Sequence, residues 1–297
     1  MGLRRGPHRR DPPVARRAGP AVALRAGSGA RRRRATGRRP GVSAPFDLSA
    51  ASSAELAPTL GEGQVILLPV GATEQHGPNL GLGIDYRIAD GLAHRIAERL
   101  YGLALVAPPL PFGLSAHHMA FPGTISIGSD AFQAVMTDVV RSLARHGPRH
   151  FLFVNGHMGN QAVLSVLTTR LEFEDGLRAA SAFYLAQARD VIQEHAVTDR
   201  WGHACEIETS VAMVLAPELV HTDALEAGDL IEEYGPYEDN YQPHALQVPK
   251  SFAARTRNGA FGDARRANRG AGEEIVETAV DRIAAFARHF VTTDPNA

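Results

Sequence analysis

The chain has 297 residues, 44% hydrophobic and 21% charged, with a formal net charge of −1, which suits a soluble globular protein of one large or two small domains. No apolar run approaches the roughly 18–20 residues that span a membrane. The single cysteine, Cys205, excludes an intramolecular disulfide and a cysteine-only metal site, and it points to a reducing cytoplasm.

Residues 1–44 hold 13 arginines against the one acid Asp11, a net of +12, which leaves −13 for the rest of the chain. They lack hydrophobic periodicity and include Arg31-Arg32-Arg33-Arg34. Such a segment buries too little apolar surface to offset its ordering entropy, so a disordered extension is expected. That extension reads first as dispensable or mis-started. Beside that stand a salt-sensitive nucleic-acid contact and an Arg-rich, acid-poor targeting peptide. Nucleic-acid binding through this tail is the non-enzymatic alternative for the whole chain.

From Phe46 the pattern is globular, and residues 45–297 form the expected domain. Val65–Val70 reads as a buried strand, Leu103–Ala107 as a second, Arg149–Val154 as a third and Ala179–Leu185 as a fourth. Ile88, Leu92, Ile96 and Leu100 recur at helical spacing, as do Phe132, Val135, Met136, Val139, Val140 and Leu143. Ser129 is the expected cap of the latter helix and Asp130 its first-turn acid. Further helices are expected after Asn160, over Glu208–Leu215 and near Gly272–Phe290, the last burying Ile275, Ala279, Ile283, Phe286 and Phe290. Alternating strands and helices imply a single-domain three-layer α/β/α fold around a mostly parallel sheet. Residues 225–270 have weak periodicity and read as a long insertion, a substrate lid or a subunit contact.

The chemistry gathers on loops that leave the strands. Glu74-Gln75-His76-Gly77-Pro78 follows the first strand, with Asp85 nine residues after the histidine. Gly113–His118 follows the second, Asn155-Gly156-His157-Met158-Gly159-Asn160 the third, and Gly202–Ser210 opens a helix beyond the fourth. In open α/β sheets the carboxyl edge is where active sites form. Mixed oxygen and nitrogen ligands suit zinc, manganese or iron. Singly, each group has an ordinary explanation: Glu74 could pair with an arginine, Asp85 could cap a helix, and a lone loop histidine is usually solvated. Four such loops facing one cleft would crowd polar groups at high cost unless a cation united them.

At these residues the chain resembles the creatininase family of metal-dependent amidohydrolases. The resemblance is carried by Pro69–Pro78, Asp85, Phe121-Pro122-Gly123-Thr124-Ile125-Ser126, Asn155-Gly156-His157 and His203–Ser210, in that order over about residues 55–290. It implies two divalent ions per subunit, zinc first with manganese or iron as alternatives. Glu74, His76, Asp85, His157 and Glu208 match the ligands, with Asp85 bridging; Glu206 is the less favoured fifth ligand. It also implies that His203 shuttles a proton and that Ser115, His117, His118 and Met158 face the substrate. A metal-activated water would then attack an amide-type carbonyl, and no seryl or cysteinyl nucleophile is needed; Cys205 is read as packing.

The chain departs from the family pattern in three places. True creatininases carry an aromatic and then an acidic residue where this chain has Met158-Gly159, so creatinine itself is not the expected substrate. His117 stands where relatives often carry an acid, and Cys205 where glycine is usual. The expected activity is hydrolysis of a C–N bond in a small amide, formamide or cyclic amide by a cytoplasmic homo-oligomer, a hexamer by resemblance. A peptidase trimming a cofactor-precursor peptide is the alternative on the same site.

Overall fold

Residues 47–231 and 249–293 are described by the computed structural model. The Arg-rich extension and the middle of the 225–270 insertion lie outside the described residues. Four parallel strands form one sheet: β1 (Val65–Val70), β2 (Ala104–Val106), β3 (His150–Asn155) and β4 (Arg178–Phe183), in the order β2-β1-β3-β4. Val65 pairs with Ala104 on one side and His150 on the other, and His150 pairs with Arg178.

Period-two alternation decides which layer each strand residue enters. Val65 and Leu67 pack into one apolar cluster with Ile84, Ile88, Leu92 and Ile96 of α2 (Ile84–Arg99), which follows the short α1 (Ser53–Leu56). Ile66, Leu68 and Val70 enter a second cluster on the opposite face, with α3 (Ser129–Ala144) and α4 (Gln161–Phe173). The first face is completed by α5 (Tyr184–Gln187), α6 (Arg189–His195), α7 (Glu206–Leu215) and α8 (Arg269–Thr292). The three-layer arrangement expected from the sequence is therefore the one observed. No described helix is long and apolar enough to cross a membrane.

The layers also place the crevice. After β1 the chain turns to α2 on one face, and after the adjacent β3 it turns to α4 on the other. Neighbouring strands whose connections leave in opposite directions open a cleft at their carboxyl ends.

Several boundaries differ from the sequence expectation. β2 is three residues long, flanked by the Leu103 carbonyl and the Ala107 amide, each bonded to β1, with Pro108 next in the chain. Tyr184 and Leu185 leave β4 to begin α5, where both are buried. Gly128, not Ser129, occupies the cap position of α3, with no side-chain cap hydrogen bond. α7 begins at Glu206, and α8 begins at Arg269 because the Asn268 side chain accepts from the Gly270 and Ala271 amides. Phe286 is 43% exposed and stacks on Phe290 at 5.3 Å instead of entering the core. Around the undescribed part of the insertion, Leu230 bridges Thr256 and Ala227 bridges Asp263, both antiparallel.

Candidate metal centre at the sheet edge

The loop after β1 carries Glu74 and His76, both buried. The His76 Nδ1–H donates to the Glu74 carbonyl at 3.1 Å, which turns Nε2 toward Asp85 and Glu208 as the nitrogen available to a cation. Asp85 does not precede a helix, as the capping explanation required. It lies within the first turn of α2, where the positive end of the helix favours a carboxylate. Gly156 brings β3 against that turn: a Cβ there would lie 2.1 Å from the Asp85 carbonyl oxygen. The two loops thereby deliver Asp85 between two imidazoles. Its Oδ1 is 3.1 Å from His76 Nε2 and its Oδ2 is 3.2 Å from His157 Nδ1.

Glu208 enters from the first turn of α7, with Oε2 3.6 Å from His76 Nε2. It also accepts from the Ala204 amide at 2.6 Å. Ala204 has φ 52°, a left-handed conformation that a non-glycine residue adopts at some cost. Asn79, fully buried, holds the Ala204 carbonyl at 2.9 Å. Glu206 faces elsewhere: it accepts from the Thr198 amide and hydroxyl and from the Asp263 amide. The preference for Glu208 over Glu206 at this cluster thus has a physical reason, since Glu206 has its acceptors filled by loop amides.

Glu74 Oε2, His76 Nε2 and Asp85 Oδ2 are buried and have no hydrogen-bond partner. Orphaned buried acceptors are costly unless something cationic satisfies them. Ligand atoms of Glu74, His76 and Asp85 lie within 4.8 Å of one another, as do those of His76, His203 and Glu208, of Glu74, His118 and His203, and of Glu74, His117 and His157. The donor set is carboxylate and imidazole, matching zinc or manganese.

The charges follow the same arrangement. Burial pulls His76 down, but Asp85 and Glu208 outweigh it and hold the imidazole well above its ordinary value. Burial likewise opposes protonation of His157, which Glu74 and Asp85 nevertheless raise to about 9. Burial and the neighbouring Asp85 push Glu74 up to about 7 against the pull of His157. Asp85, despite burial, is held below the usual carboxylate range by His76 and His157.

Gln75 settles two further tautomers. Its Oε1 accepts from the Gly77 amide at 2.9 Å, and its Nε2 donates to the Gly259 carbonyl at 3.0 Å. The His203 Nε2 lies 2.7 Å from the Gln75 carbonyl and must carry its proton, so it cannot accept from Gln75. The remaining Gln75 hydrogen therefore goes to His118 Nδ1 at 2.8 Å. His118 then carries its proton on Nε2, 3.3 Å from Glu74 Oε1, and is a donor there rather than a ligand. His203 keeps a bare Nδ1, 3.8 Å from the same oxygen. Burial keeps both rings neutral, with neighbouring histidines adding to it.

The other expected substrate contacts divide. Ser115 is fully buried, with Oγ 3.5 Å from His157 Nε2, and His117 stacks on His157 at 5.8 Å. Burial, then His157 and Arg255, lower His117 to about 4. Met158 is half-buried and packs against the apolar cluster of α2, α7 and α8. Cys205 is buried, and burial together with Glu206 and Glu208 pushes its thiol up to about 12, which leaves no nucleophile.

Three residues of the site were not anticipated from sequence. Gln75 lay in plain view inside the motif. Asn79 is also near it, but its partners are remote in sequence. Phe252, 3.9 Å from His118, 4.8 Å from His203 and 5.6 Å from His117 between ring centroids, comes from a stretch without periodicity.

The model describing the creatininase family, creatinine amidohydrolase, matches residues 49–287. A mycofactocin precursor peptide peptidase of Mycobacterium ulcerans is 35% identical over 236 residues, covering 74% of this chain and 85% of the relative. A creatinine amidohydrolase of Pseudomonas putida is 29% identical over 239 residues, covering 74% and 87%. A solved structure described as creatininase Mn superposes with a TM-score of 0.69 at 27% identity, covering 84% of this chain and 100% of the other. A mutant creatininase of Zn-Zn type does so at 0.68 and 26%, covering 84% and 99%.

Proposed function

The chain belongs to the creatininase family of hydrolases, and from that premise we propose that it is a metal-dependent peptidase cleaving an amide C–N bond within a peptide. The observation that carries the metal centre is the meeting of Glu74, His76 and Asp85, each with a buried ligand atom lacking a hydrogen bond, around an Asp85 whose two oxygens face different imidazoles. Glu74, His76, Asp85, His157 and Glu208 are the residues that would hold two divalent ions, zinc or manganese. Bound there, the ions supply carbonyl polarisation and a water acidified toward neutral pH.

The protein's own groups divide the remaining work. The bare Nδ1 of His203 enters the reaction as an acceptor, takes the proton released as water oxygen bonds to the carbonyl carbon, and returns it to the amine nitrogen when the C–N bond breaks. The His118 Nε2–H holds Glu74 Oε1 in place. Phe252 covers His118 and His203 and keeps bulk water from them.

Two observations favour a peptide over the small amide expected from sequence. The M. ulcerans peptidase shares 35% identity, against 29% for the P. putida creatinine amidohydrolase. Gly159 cannot carry the acid found in true creatininases, because a Cβ there would lie 2.3 Å from His157 Nε2 and 2.4 Å from the Leu114 carbonyl oxygen. A small amide or formamide remains the second reading, favoured by the tight wall of His117, His118 and Phe252. Metal-reconstituted protein assayed against precursor-type peptides, creatinine, formamides and lactams tests the choice. New amino termini from the peptides are expected, whereas turnover of the small amides alone overturns the peptidase reading.

A further inference from the structure

We propose that His117 is a direct ligand of one of the two divalent ions, on the His157 side of Asp85, a role beyond substrate contact. This rests on the dinuclear reading above. Among the described residues, four ligand triads are close enough to hold an ion. The one that includes His118 is removed by its tautomer, since the Gln75 amide occupies His118 Nδ1 and the Nε2 proton points at Glu74. A nitrogen that carries a proton offers no lone pair to a metal.

Of the three that remain, two share His76. The third, Glu74, His117 and His157, has no residue in common with His76, His203 and Glu208. Asp85 stands between these two separate triads, with Oδ1 toward His76 and Oδ2 toward His157. Two ions bridged by Asp85 would thus divide these groups, His76 and Glu208 serving the first with His203 kept beside them as the base, and Glu74, His157 and His117 serving the second. Glu74 Oε2 has no hydrogen-bond partner and lies 3.4 Å from His157 Nε2, whose proton goes to the Leu114 carbonyl at 3.1 Å, so it is the Nδ1 of His157 that is open to the ion on this side.

Among the described residues, positions 158 and 159 offer that ion nothing more. The Met158 thioether, half-buried, packs against the α2 cluster, and position 159 admits no side chain. His117 is stacked within 8° of parallel on His157, at 5.8 Å, so both rings present their edges in similar planes. Zinc accepts a fifth ligand and manganese prefers more than four, so an imidazole at this place extends the coordination without displacing Glu74, Asp85 or His157.

The test is metal binding by the full chain, stripped and titrated with cobalt(II) under optical absorption, with elemental analysis of zinc-loaded samples. The unaltered protein is expected to bind two equivalents. His117→Leu should bind one equivalent as before and the second at least about 10-fold more weakly, the smaller loss expected even for an outer partner of a ligand. His117→Glu, which restores a ligating group, should recover two equivalents with a shifted cobalt spectrum. Two equivalents in His117→Leu with unchanged affinities and spectrum would overturn the assignment of His117 alone. Fewer than two in the unaltered protein would overturn the dinuclear reading and His117 with it. Should His117→Leu not fold, an unshifted cobalt spectrum in His117→Glu is decisive against the proposal.

Discussion

Residues 70–85, 155–160 and 203–208 reach the cluster from strand ends and helix first turns. Phe252, Gly259 and Phe261 reach it from a segment whose only described elements are short turns and isolated bridges. On the ligand side, sheet register and two packed helices fix each side chain, so its position is shared by many contacts. On the Phe252 side, scattered hydrogen bonds and isolated bridges, not a sheet ladder or a long helix, tie the segment to the rest. The Gln75 amide donates to the Gly259 carbonyl at 3.0 Å, the Phe261 amide to the His203 carbonyl at 2.9 Å, and the Asp263 amide to Glu206 at 2.9 Å. One such bond contributes about 1 kcal/mol. Local opening is therefore expected on the Phe252 side long before the ligand side moves.

The largest effect should come from the ligand side. Asp85→Asn keeps the shape but removes the charge between His76 and His157. We expect kcat/KM to fall by more than about 10²-fold, because losing even an outer partner of a metal ligand costs about 10–100-fold. Bound metal should fall with it, and steady-state kinetics at full metal content that match the unaltered protein would break the assignment.

Phe252→Ala attacks the other side. Removing a ring that is 5% exposed should cost about 3 kcal/mol of stability, read by denaturant titration, and should raise KM while leaving metal content intact. Metal loss in this variant would show that the two sides are not separable.

Gly156→Ala tests whether close approach of β3 to α2 positions Asp85. With its Cβ 2.1 Å from the Asp85 carbonyl oxygen, we expect a loss of about 2 kcal/mol from overpacking and weaker metal binding. A neutral result in both measurements would mean that α2 is free to shift.

The smallest effect lies away from both sides, as a control. The Asp90 carboxylate, opposed by partial burial and helped by the Asp90 carbonyl and by Asp47, raises His94 to about 9. A histidine raised on folding contributes stability fully below its unfolded pKa of about 6.5 and loses it as pH climbs through about 9. Melting curves from pH 6 to 10 should therefore decline slightly more in the unaltered protein than in His94→Gln, with no change in metal content.

How much of this was readable in the sequence follows the same division. Val65–Val70, the helix of Ile88, Leu92 and Ile96, and the Glu74–His76–Asp85 spacing are local patterns, and local patterns carry period and order. Asp85 as the bridge is what the family resemblance implies; the structure places its two oxygens toward different imidazoles. Ser129, Tyr184 and Phe286 were misplaced because caps and exposure depend on neighbours that the local window does not contain. Phe252 was missed for the same reason: it lies in a stretch with no period to read.

The sequence by itself determined the class of fold, the order of the strand-end loops and the kinds of atom that they carry, since hydrophobic period and residue chemistry are properties of short segments. Only the tertiary structure decided which nitrogen of His118 and His203 is protonated, that Glu206 turns to loop amides while Glu208 faces His76, and that no side chain fits at Gly159. Those are questions of distance between groups up to 184 positions apart, as Gln75 is from Gly259, and folding alone brings such groups within reach of one another.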